Sequence, residues 1–98
     1  MQESIQAVLL EMASLLRNYY DASWGDVYER LAQSIGRSPQ DTALTILASY
    51  GGMGSINDVV LTSGGQPLRE ENRRFDTLRS RLSQLCLQSL NGTSRSGG

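Results

Sequence analysis

The sequence predicts an all-α fold, a small bundle of about four helices. Three observations lead there. Apolar residues recur at spacings of three and four along most of the 98 residues, the period of a helix with one buried face. Serine, aspartate and proline stand at the breaks, where they cap or start helices. Glycines cluster once, in Gly51-Gly52-Met53-Gly54, between three amphipathic segments and one long C-terminal segment. Glycine loses more backbone freedom on folding than any other residue, so this cluster implies a turn or a close backbone approach. A chain of this length makes one domain, expected over 1–91, with the small polar residues 92–98 as a flexible tail.

The first helix is expected from about Glu3 to Tyr20. Ile5, Val8, Leu9, Met12, Leu16 and Tyr19 form its apolar stripe, widened by Leu10, Leu15 and Tyr20. Asp21-Ala22-Ser23 breaks it, and Ser23 followed by Asp26 resembles a capping signal. The second helix is expected from about Trp24 to Ile35, with Trp24, Val27, Tyr28, Leu31 and Ile35 on its buried face and Gly36 closing it. Ser38-Pro39-Gln40-Asp41 opens a third helix, to about Tyr50: serine caps, proline fits the first turn, and Asp41 complements the helix dipole. Ala43, Leu44 and Leu47 would face its core.

Ser55 through Leu61 reads as a short helical turn. Val59-Val60-Leu61 would equally suit a strand, but no partner strand is evident in the chain. Ser63-Gly64-Gly65-Gln66 reads as a loop. Pro67 would begin the last helix, which runs to about Leu90 and stops at Asn91-Gly92. Phe75, Leu78, Leu82 and Leu85 form a narrow seam along it, and Glu70 lies four residues before Arg74 in the favourable order.

Composition excludes more than it assigns. There is no histidine and no lysine; all nine basic residues are arginines. The usual general base near neutral pH is therefore missing, as is any lysine that would activate a serine. No catalytic residues, metal site or cofactor are expected. Cys86 is the one cysteine, so the fold must rest on its core, and the residue reads as a small buried hydrophobe. The N-terminus lacks a basic region and Glu11 breaks the apolar run after it, so no signal peptide is expected. No stretch approaches the roughly 20 apolar residues that cross a bilayer. A cytoplasmic location follows as the default.

The charge is uneven. Residues 1–58 carry −4 and residues 59–98 carry +3, for a net −1. The acidic half and the arginine-bearing last helix would attract each other, within one chain or between two. The arginines are interspersed with Glu70, Glu71 and Asp76, so a solvated face is expected rather than a nucleic-acid surface.

Two places invite a functional reading. Tyr19, Tyr20, Trp24 and Tyr28 fall within ten residues; they suit either core packing at a helix junction or a protein interface. With Asp21, Asp26 and Glu29 they would suit a basic partner, and Asp58 would join them. The second place is Gly51, Gly52, Met53, Gly54 and Ser55. No lysine follows and no strand precedes, so the nucleotide-loop patterns fail. Asn57 and Asp58 would fix this loop through bonds to nearby backbone.

The segment Tyr50-Gly51-Gly52-Met53-Gly54-Ser55-Ile56-Asn57-Asp58-Val59-Val60-Leu61, with Asn72, Phe75, Leu78 and Leu82 after it, resembles a family of small bacterial domains of unknown function. The resemblance spans about residues 45–85 and transfers no activity. In size and acidic helical character the chain is also similar to bacterial immunity proteins and phage-encoded inhibitors. The expected function is non-enzymatic: binding a partner protein, such as a toxin or a host defence protein, and occluding its site. A structural or regulatory homodimer, or a small-ligand site at the glycine loop, are the alternatives.

Overall fold

The computed structural model describes residues 4–50 and 56–97, with side chains through Asn91. It is the expected all-α bundle. Four helices account for most of the described residues: α1 (Ile5–Tyr19), α2 (Ala22–Arg37), α3 (Pro39–Ala48) and α4 (Arg69–Gly97). Between α3 and α4 lie a 3₁₀ turn (Ile56–Asp58) and two short strands, β1 (Thr62–Ser63) and β2 (Gln66–Pro67). α1 packs on α2 and on α4, while α3 packs on α4 and α2.

Capping explains where the helices begin. Ser4 accepts a hydrogen bond from the Ala7 N–H, as an N-cap serine does. α2 starts earlier than expected, because Asp21 rather than Ser23 is its cap: its carboxylate accepts from the Ser23 N–H at 2.8 Å. A charged acceptor at the positive helix end is stabilising, and hydrogen bonds from the Ser23 hydroxyl and then from its N–H hold the Asp21 carboxyl below its ordinary pKa. Gly36 does not end α2. It lies inside the last turn, and Ser38 ends α2 and begins α3, its N–H donating to Ser34. Pro39 starts α3 as expected, but the Ser38 side chain makes no capping bond.

The connector to α4 departs further from expectation. After the 3₁₀ turn, Val59 to Leu61 are not helical. β1 and β2 pair antiparallel, Thr62 with Pro67 and Ser63 with Gln66, so the partner strand lies within the same chain. Gly64 and Gly65 have φ of 57° and 80°. Two consecutive left-handed residues make a primed hairpin turn, which suits glycine. Pro67 therefore belongs to β2, the Leu68 N–H donates to the Leu61 carbonyl at 3.0 Å, and α4 starts at Arg69. α4 continues through Asn91 and Gly92 to Gly97. One interior glycine weakens a helix by about 1 kcal/mol without breaking its hydrogen-bond ladder.

The core gathers Val8, Leu9, Met12, Ala13 and Leu16 from α1 with Tyr28 and Ala32 from α2. α3 adds Ala43 and Ile46, the connector Ile56, Val59 and Leu61, and α4 Phe75, Leu78, Leu82 and Cys86. Three stripes are placed differently from expectation. On α3, Leu44 faces solvent and Thr42 and Ile46 turn inward. On α4, Leu85 is only partly buried, and Cys86, buried as expected, takes its place in the seam. On α2 the buried line is Gly25, Tyr28 and Ala32, while Val27 is 47% exposed and Trp24 and Leu31 are half-buried. The cause is close packing. A Cβ on Gly25 would stand 3.0 Å from the Ala13 carbonyl oxygen and 3.0 Å from the Arg17 Cβ. At Gly25 α1 and α2 approach so closely that no side chain fits between them, which fixes the rotation of α2 and leaves Val27 exposed.

Candidate functional site: an apolar groove between α2 and α3

The outward rotation of α2 creates the site. Trp24, Val27 and Leu31 stand along one side of α2, one helical turn apart, with the Tyr28 ring beside them. α3 meets them with Thr45 and Ser49, residues too short to fill the gap. The result is an open groove of about 380 Å³, with Ser23 at one end.

Three of its hydroxyls already donate hydrogen bonds within the chain. The Thr45 hydroxyl donates to the Asp41 carbonyl at 2.9 Å, and the Ser49 hydroxyl to the Ile46 carbonyl at 2.6 Å. The Ser23 hydroxyl donates to the Asp21 carboxylate. Tyr28 is 2% exposed. Burial pushes its phenol up to about 12, partly offset by the nearby Ser49 hydroxyl, yet no hydrogen bond of good geometry reaches it among the described residues. None of the lining side chains is charged. Tyr20 packs edge-on against Trp24, with ring centroids 5.9 Å apart at 74°, and is 46% exposed.

The expected interface residues therefore divide. Tyr20 and Trp24 lie together at the groove. Tyr28 borders the groove but is almost wholly buried and belongs to the core. Tyr19 is half-buried against the core. Asp26 and Glu29 are both held by Arg17 of α1, at 2.8 and 2.6 Å, so their charges are engaged within the chain. Asp21 is exposed but committed to capping α2. Asp58 is exposed in the 3₁₀ turn. Gly51, Gly52, Met53, Gly54 and Ser55 lie outside the described residues. The Asn57 amide donates to the Tyr50 carbonyl at 2.7 Å. The groove residues that sequence reasoning missed as surface are Val27, Leu31, Thr45 and Ser49. The available signal was the line of Gly25, Tyr28 and Ala32, a stripe at helical spacing that small residues hide from a count of large apolar ones.

The uneven charge also finds a place. Arg74 of α4 reaches Glu11 of α1 through two bonds of 2.6 and 2.7 Å, rather than the expected Glu70. That guanidinium holds the Glu11 carboxyl below its ordinary pKa. Glu70 instead lies 3.8 Å from Arg73. The Cys86 thiol is pushed up to about 11 by burial. Among the described residues no cluster of Cys, Asp and Glu converges as a metal-binding group, and no helix is long and apolar enough to cross a membrane.

Residues 17–69, more than half of the chain, match the family model described as Domain of unknown function (DUF6966). The matched span contains all of α2 and α3 and every groove residue. No curated protein and no solved structure matches the chain.

Proposed function

We propose that this chain, which belongs to the DUF6966 family, is a non-enzymatic protein-binding module. In this reading it neutralises a partner, such as a toxin or a host defence protein, by covering its working surface, as immunity proteins and inhibitors do. The observation that carries the reading is the open apolar groove of α2 and α3, with the half-exposed Tyr20–Trp24 pair beside it. Concave, mostly apolar clefts are the usual form of a binding site. Tyrosine and tryptophan are the side chains that most often anchor protein interfaces.

The side-chain inventory supports a binding rather than a bond-making role. Histidine and lysine are absent from the whole sequence. The Cys86 thiol, raised to about 11, is protonated near neutral pH and buried, which makes it a poor nucleophile. Because Arg17 holds Asp26 and Glu29, the contact would be mainly apolar rather than directed at a basic patch.

The test is co-purification from cells of the native host. Tagged wild-type chain should bring down a stoichiometric companion, and the double substitution Trp24→Ala, Val27→Glu should lose it while keeping its helical circular dichroism. A wild-type chain that emerges alone contradicts the proposal, as does a companion indifferent to both substitutions.

A further inference from the structure

We draw no further inference here: the strongest candidate, the apolar groove between α2 and α3 lined by Trp24, Val27 and Leu31, carries nothing beyond the reading above because nothing in the structure shows what covers it.

Discussion

Gly25 shows how one residue decides which face of a helix is open. Alanine has the better helix propensity by about 1 kcal/mol. Here the added methyl would meet the Ala13 carbonyl and the Arg17 Cβ, each at 3.0 Å. Backbone cannot yield as a flexible side chain does, so the clash outweighs the propensity. Gly25→Ala should destabilise the chain by about 1–3 kcal/mol, measured by urea unfolding. At the same scale, two buried acids make the fold sensitive to alkali. Burial raises Cys86 from 9.0 to about 11 and Tyr28 from 10.0 to about 12. The folded chain thus keeps protons that the unfolded chain releases, so stability falls as pH rises. The urea midpoint should hold up to about pH 9, the ordinary thiol value, and drop steadily toward pH 12. Cys86→Ala should delay the onset to about pH 10, the ordinary phenol value from which Tyr28 is raised.

At the scale of elements, the helices were largely legible in the sequence and the connector was not. The apolar periods of α1 and α4 reflect burial against several neighbours, and Val8, Leu9, Met12, Leu16, Phe75, Leu78 and Leu82 are all buried as their spacing implies. On α2 the period of the large residues misled, because Gly25 and Ala32 permit the close approach to α1 and register weakly in a hydrophobicity count. The groove is the consequence, so the same local fact hid both the packing and the candidate site. Between α3 and α4 the missing information is long-range. Asn72 completes the connector from inside α4: its side chain accepts from the Leu61 N–H at 2.8 Å and donates to the Leu61 and Leu68 carbonyls at 2.9 and 2.7 Å. One asparagine thereby takes the place of a neighbouring strand for Leu61, which no local pattern announces. Asn72→Ala strands the Leu61 N–H, while the Leu61 and Leu68 carbonyls keep their backbone donors, and should destabilise by about 1–3 kcal/mol. The amide signals of Leu61 and its neighbours should lose hydrogen-exchange protection before those of α1.

At the scale of the molecule, α1 and α4 hold the bundle together and leave α2 and α3 with an uncovered side. The Arg74–Glu11 pair joins the basic helix to the acidic half within one chain. Glu11→Gln should lower the thermal midpoint slightly at low salt. The difference should shrink at high salt, because both side chains are about half-exposed and their attraction is screened. The uncovered side is where the account places function. The most direct measurement is nuclear magnetic resonance of the methyl groups of Val27 and Leu31 and the indole of Trp24 as the co-purified partner is added. The expected result is that these signals, with Thr45 and Ser49, move most, while Leu10 of α1 and Leu87 of α4 stay in place. Shifts centred on α1 or α4, with the groove signals unmoved, would contradict it.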